Sequence, residues 1–457
     1  MGSVEEPAYF YKSVSQSPAG SMVTSARGMY LTLENGQELL DATCGAAVSA
    51  IGHGHERVKK AIISQLQQVE YCHPGYFPNV PAVQLAEYLV QSTEGRMARA
   101  CILGSGSEAV ESAMKLAQQY WAELTPNSPR TRFIARKGSW HGCTLGALSL
   151  GDFKPRKAPF DNILHGNVSH VSACDPYHGL GEGETIQAYV ERLKQELEDE
   201  LQRVGPENVA AFFLEPVVGT ALGCVAALPG YLQAMREVCD RHGTLLIFDE
   251  VMCGMGRTGT LHAWQADGVA PDIEIVGKGL GAGYGPISAV LINERVISGL
   301  KAGSGYFLHG QTYMSHPLGC AAALEVQHIV QEDNLVENAR KMGDHLGRQL
   351  KLHLGGHPYV GDVRGRGLFW AVEFVANKQT KAFLDPKLAL SKRLQVKGMQ
   401  EGYDICMFVA TGAADGWNGD HFLLAPPYNV TTEDIDEIVH RVVKVIDSVF
   451  EDLALAL

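Results

Sequence analysis

The feature that most constrains this chain is a series of short β-rich runs through its middle, several of them continuously apolar: 100-ACIL-103, 132-RFIA-135, 209-VAAFFL-214, 244-TLLIF-248, 273-IEIVG-277 and 287-ISAVLI-292. A strand that is apolar on both faces must be covered on both faces. That is the situation of a mostly parallel sheet sandwiched between helices. The intervening stretches can hold crossover helices. One of them, 107-SEAVESAMKLAQQYW-121, gathers Val110, Ala113, Met114, Ala117 and Trp121 on one face at helical spacing. The pattern predicts an α/β domain over residues 55–330.

The pattern changes after residue 330. The segment 359-YVGDVRGRGLFWAVEFV-375 reads as β structure interrupted by a glycine-rich loop. Further on, Ile435, Ile438, Val442, Val445, Ile446 and Val449 form the stripe of a long amphipathic helix that Thr431 and Asp434 can cap. A length of 457 residues is more than one simple core usually holds. We therefore expect a smaller α+β domain over 331–457, with the N-terminal segment 1–54 packing against it.

Composition removes several classes of function. A net charge of −13 with scattered lysines and arginines opposes nucleic-acid binding. No apolar run is long enough to span a bilayer. The start, MGSVEEPAYF, lacks the regions of a signal peptide and has Glu6 where an acylation signal needs Ser or Thr. Ten cysteines without a C-x-x-C pair read as reduced thiols in a cytoplasmic protein. His53 and His55 suggest no third ligand, so no metal is expected.

Three places carry chemistry. Asp249 and Glu250 follow an apolar strand, at the end where open α/β sheets bind ligands, although both could simply cap the next turn. Lys278 follows another strand inside the glycine-rich 277-GKGLGAGYG-285. A lysine held there among apolar or cationic groups can lose its proton and become a nucleophile, whereas a solvated one cannot. Gly279 stands where a P-loop needs Ser or Thr. In 104-GSGSEAVESA-113 a helix N-terminus could bind phosphate, or Ser105 or Ser107 could serve only as its N-cap. A rival reading lies in 254-GMGRTG-259, which with Glu274 spells a dinucleotide fingerprint and hence an oxidoreductase. Gly268 and Pro271 leave no clean helix after it.

Taken together, these motifs resemble the class III aminotransferases over most of the chain. The resemblance includes 41-DATCGAAVSAIGHGHERV-58, 139-SWHGCTLGALS-149, 215-EPVVG-219, 245-LLIFDEVMCGMGRTG-259, 271-PDIEIVGKGL-280 and 425-APPYNVTTEDID-436. It implies a fold-type-I enzyme that uses pyridoxal 5′-phosphate (PLP), working as a homodimer with active sites at the subunit interface. By the same resemblance Lys278 holds the cofactor as a Schiff base and later moves a proton. Asp249 pairs with the pyridine nitrogen, and His141 and Glu215 stand near the cofactor. Trp140 and Val251 flank the ring, and Ser105, Gly106 and Ser107 hold the phosphate. Thr312 reaches the partner's phosphate.

The implied reaction is amino-group transfer between an amine or amino acid and a keto acid or aldehyde by a ping-pong route. Lyases, epimerases and aminomutases share the same cofactor residues. Many relatives recognise a carboxylate with an Arg where this chain has Leu423, and the loop 407-MFVATGAADGWNG-419 contains no Arg either. Ala46 stands where decarboxylating relatives have a glutamine. Arg156, Arg257 and Arg364 remain as candidate anion partners.

Overall fold

The computed structural model describes residues 22–455. The first 21 residues of the expected N-terminal segment, and with them the readings of the chain's start, lie outside the described residues.

All six runs become strands of one seven-stranded sheet. Its spatial order is Arg99–Leu103, Ser288–Ile292, Ile273–Val276, Leu245–Asp249, Val209–Leu214, Arg132–Arg136 and Val168–Val171. Only Ser288–Ile292 runs against its neighbours; the remaining pairs are parallel. The central strands are buried on both faces because alternate residues serve different cores. Phe213, Leu245 and Ile247 pack with Ala113, Ala117 and Phe133, beneath the helix Gly106–Leu124. Phe212, Leu246 and Phe248 pack on the other side with Tyr189 and Leu193 of the helix Ile186–Val204 and Val238 of Tyr231–His242. The edge strand Val168–Val171, VSHV, is half-exposed and mixed in polarity, so no apolar run announced it.

Besides a two-stranded pairing of Val217–Val218 with Val225–Ala226, two four-stranded sheets complete the fold. In one, Val360–Gly365, Trp370–Phe374, His421–Leu424 and Phe408–Ala410 pair antiparallel in that order. In the other, Val23–Arg27, Tyr30–Leu33 and Glu38–Asp41 form an antiparallel meander, and Glu38–Asp41 pairs in parallel with Ile405–Cys406. Residues far apart in sequence therefore share a core: Met29, Leu40 and Ile51 pack with Val372, Phe374 and Ile438. The final helix, Thr432–Leu455, begins with the expected capping contacts. Thr431 N donates to Asp434 Oδ2 at 2.9 Å and Asp434 N donates to Thr431 Oγ1 at 3.2 Å. Its whole expected stripe is buried, each such side chain contributing about 1.5–3 kcal/mol.

The helix Pro317–Glu332 belongs to two cores at once. Cys320 and Ala323 face Val276 and Leu280 at the end of the large sheet. Ala322, Val326, Ile329 and Val330 face the cluster built from both chain ends. No helix among the described residues is long and apolar enough to cross a membrane.

Close backbone approach makes one glycine indispensable. A β-carbon on Gly343, in the helix Leu335–Leu354, would sit 2.0 Å from the carbonyl oxygen of Gly367, and no side-chain rotation can relieve that contact. Gly343→Ala is expected to destabilise the protein by about 1–3 kcal/mol, seen as a lower denaturation midpoint. An unchanged midpoint would show that the helix and loop can separate freely.

Candidate active site

Asp249 is the last residue of its strand and has both carboxylate oxygens engaged. Val251 N donates to Oδ1 at 3.0 Å, and His141 Nδ1 lies 2.8 Å from Oδ2. The pair is buried, and His141 Nε2 has no hydrogen-bond partner among the described residues. Each side chain thus orients the other, leaving the carboxylate a fixed direction in the cleft. Glu215 follows the neighbouring strand and is fixed the same way. Its Oε2 accepts from Gly219 N at 3.0 Å and its Oε1 from Trp140 N at 3.2 Å. Burial pushes the Glu215 carboxyl up, with Asp249 adding to the rise and His141 and Arg136 opposing it.

Lys278 enters the same cleft from a strained turn. It has φ +42°, a left-handed conformation that costs a residue with a β-carbon about 1–2 kcal/mol. Gln327, buried on the helix Pro317–Glu332, holds the turn: its Nε2 donates to the carbonyls of Gly279 at 3.1 Å and Leu280 at 2.8 Å. Burial pushes the lysine's pKa below its ordinary value, while Asp249 and Glu215 pull it back up. Burial wins, so more of the amine is neutral and nucleophilic than in water.

The opposite end of the cleft is the start of the helix Gly106–Leu124. Ser105 is its N-cap, with Oγ accepting from Glu108 N at 3.3 Å. Ser107 Oγ accepts from Cys143 N at 3.0 Å. A β-carbon on Gly106 would come 2.8 Å from Val251 Cγ1, so glycine keeps this end of the cleft open. Ser105 is thus the N-cap, and the cap leaves the start of the helix open to the cleft.

Ser105, Gly106, Ser107, Trp140, His141 and Glu215 line one cleft of about 190 Å³ together with Asp249, Val251 and Lys278. Gly142, Thr220 and Met252 also line it and were not singled out from sequence. Gly142 had a readable signal, as the glycine closing the S-W-H-G motif. Its φ is +136°, and a β-carbon there would meet Ser107 Oγ at 2.5 Å. Thr220 and Met252 offered none. Thr312 is not in the cleft: it is exposed on the loop before the helix Pro317–Glu332.

The two adjacent carboxylates part company. Glu250 accepts from Ala263 N at 2.5 Å and Trp264 N at 2.8 Å, so for this residue the capping reading holds. Beside it, Glu274 accepts from Trp264 Nε1 at 3.0 Å and lies 2.6 Å from His262 Nδ1, while His262 Nε2 meets Ser92 Oγ at 2.9 Å. Burial and the facing Glu274 push the Glu250 carboxyl well up, which favours a proton between the two acids. Glu274 is thus spent on a buried network rather than on a ribose. After 254-GMGRTG-259 the chain enters turns and the short 3₁₀ segment Ala263–Ala266, with no α-helix to receive a pyrophosphate, which removes the dinucleotide reading. His53 bridges to Gly28 and lies 3.5 Å from Asp41, and His55 precedes the helix Glu56–Leu66.

A lysine and a carboxylate at strand ends and the start of a helix thus line one cleft at the edge of an α/β sheet. The chain belongs to the class III aminotransferases, whose family model matches residues 11–446. It is 47% identical over 436 residues to an aminotransferase of Gibberella zeae, covering 95% of this chain and 85% of that one. It is 46% identical to an uncharacterized aminotransferase of Schizosaccharomyces pombe, covering 96% of this chain and 95% of the relative. The solved structure of an (S)-enantioselective omega-transaminase from Thermomicrobium roseum superposes with a TM-score of 0.87 at 32% identity, over 94% of this chain and 93% of that one. The chain is an aminotransferase, and its family implies PLP.

The burial of Lys278 has a pH signature. In the cofactor-free protein, Lys278→Met removes an amine whose folded pKa is depressed, so the variant is expected to melt higher than the parent. The gap should widen as pH falls from lysine's ordinary value to the lowered one and stay constant below it. Melting curves across that window check this; a gap that does not vary with pH would place the amine in solvent.

Proposed function

We propose that Lys278, Asp249 and the residues around them hold PLP and use it to move an amino group between an amine or amino acid and a keto acid or aldehyde. The observation that carries this reading is the half-buried Lys278, its amine pKa lowered by desolvation, sharing one cleft with the oriented Asp249–His141 pair. The donor set fits the group. An amine is available for an aldehyde, a fixed carboxylate for a ring nitrogen, and a helix N-terminus with two serines for a phosphate.

When bound, the cofactor supplies the aldehyde that captures the amine and an electron-poor ring that accepts the electrons of the broken C–H bond. Asp249 holds a proton at the ring nitrogen, and His141 keeps that carboxylate aimed. Lys278 Nζ, once released, carries a proton to and from the carbon beside the substrate nitrogen. Trp140 and Val251 would flank the ring. The backbone N–H groups of Gly106 and Ser107, with the Ser105 and Ser107 hydroxyls, would hold the phosphate. Glu215, anchored through Trp140 N, closes the wall beside them.

The same reading makes the protein a cytoplasmic homodimer in which Thr312 reaches the partner's phosphate. Its support is a patch of exposed Tyr76, Phe77, Tyr306, Leu308 and Tyr313 around the Thr312 loop. Tyr71 meets Tyr313 edge-on at 6.1 Å, which joins two loops into one apolar surface of the kind a second subunit covers. Ten free cysteines suit a reducing compartment. A division at residues 54/55 and 330/331 belongs to the same reading, supported by the separation of the seven-stranded sheet from the two four-stranded ones.

The purified protein is expected to show a visible cofactor band that Lys278→Ala, supplied with PLP, lacks. An amine donor should bleach the band and a keto acid restore it. Bond cleavage with the band retained would mean a lyase or epimerase, and a colourless protein would end the proposal. Thr312→Ala is expected to weaken cofactor binding about tenfold, the value of one hydrogen bond to a charged group, without dissociating the dimer. Titration with PLP alongside ultracentrifugation reads both, and an unchanged affinity would remove Thr312 from the site.

A further inference from the structure

Of the three arginines left as anion partners, the structure disqualifies two. Arg257 is buried; its Nη1 donates to the carbonyls of Leu368 at 3.1 Å and Pro426 at 2.5 Å, and its guanidinium lies over the Tyr428 ring at 4.6 Å. Arg364 is only 11% exposed and already engaged; its Nε donates to the Gly223 carbonyl at 2.7 Å, and it pairs with Asp362 at 3.0 Å and Glu373 at 2.6 Å. Arg156 differs. It is exposed, and its guanidinium makes no hydrogen bond or ion pair among the described residues.

Arg156 lines a cavity of about 480 Å³. Thr220 belongs to the walls of both this cavity and the Lys278 cleft, so the two spaces lie side by side there. Phe153, Phe408 and Trp417 give the cavity apolar walls, and Phe153 stands edge-on to Trp140 with ring centres 6.1 Å apart. A second exposed cation, Lys392 on the helix Leu390–Gly398, lines the same space and likewise has no partner among the described residues. The cavity's acid, Asp420, is already engaged: its Oδ1 accepts from Ser391 N at 3.0 Å and from Ser391 Oγ at 2.6 Å. On a chain of net charge −13, two unpaired cations on one cavity form a local reversal of sign. Leu423, at the position where many relatives recognise a carboxylate, is buried in an apolar cluster with Phe369 and Ala371 and is no part of either space.

We propose that this cavity receives the part of the substrate remote from the reacting nitrogen, and that Arg156, assisted by Lys392, binds an oxyanion there. The substrate class is then an amine, or its carbonyl counterpart, separated by an apolar spacer from a terminal carboxylate or sulfonate. Aromatic walls suit the spacer, and a planar guanidinium suits the oxyanion. The inference rests on the aminotransferase reading of the Lys278 cleft.

The test is steady-state kinetics of the cofactor-loaded enzyme with β-alanine, γ-aminobutyrate and ε-aminocaproate, each against the alkylamine of the same chain length. Arg156→Gln is expected to raise KM for the preferred amino acid about tenfold or more and leave kcat, the alkylamine kinetics and the visible cofactor band unchanged. Lys392→Gln should act in the same direction more weakly, and Arg156→Lys should restore part of the loss. Equal effects on acid and alkylamine, or none on the acid, would overturn the assignment while leaving the aminotransferase reading intact. Failure of the unmodified enzyme to process any amine would overturn both.

Discussion

Asp249 ends its strand and Glu250 is the first residue past it, and the site depends on these two neighbours turning to opposite sides. Asp249 turns into the cleft and meets His141; Glu250 turns away and is buried against the turn that starts at Ala263. Each carboxylate is hydrogen-bonded, as buried charge requires. Because Glu250 cannot move without releasing Ala263 and Trp264, the strand end beneath Asp249 is held on its far side. The Glu274–His262–Ser92 chain extends that support to the helix Val80–Ser92. The strand end that carries Asp249 is therefore braced from behind by a network outside the cleft, while His141 and Val251 N aim the carboxylate within it.

Lys278 is held by an analogous division of labour. Its left-handed backbone is a local cost, and the Gln327 amide with two carbonyl contacts offsets part of it from a different element. Burial lowers the amine's pKa, while Asp249 and Glu215 limit how far. The strained turn, the depressed pKa and the acidic neighbours all meet in a cleft of about 190 Å³, a clustering typical of active sites rather than of structural ion pairs.

Much of this was legible in the residues themselves. Runs such as 209–214 and 244–248 are apolar on both faces, and only a covered sheet accommodates them, so the large sheet followed from pattern. The edge strand Val168–Val171 did not, because it is half-exposed and its polar residues break the apolar pattern. The cleft residues were readable where a motif carries a chemical requirement: a lysine after a strand, an acid after a strand, a glycine–serine helix start. Gln327 and His262 were not readable, since each acts through a partner 48 and 12 positions away and neither lies in a motif. The fates of Asp249 and Glu250 could not be separated from sequence either, since the strand's facing is set by packing. Nor could the three arginines be ranked until burial showed which were already engaged.

The helix Pro317–Glu332 has one flank in the core behind Lys278 and the other in the core shared by both chain ends. Loosening either core uncovers a side of the same helix and withdraws Gln327 from the Lys278 turn. The two parts of the molecule are consequently bound into a single cooperative unit, and damage to the remote core is felt as a change in the reactivity of one amine.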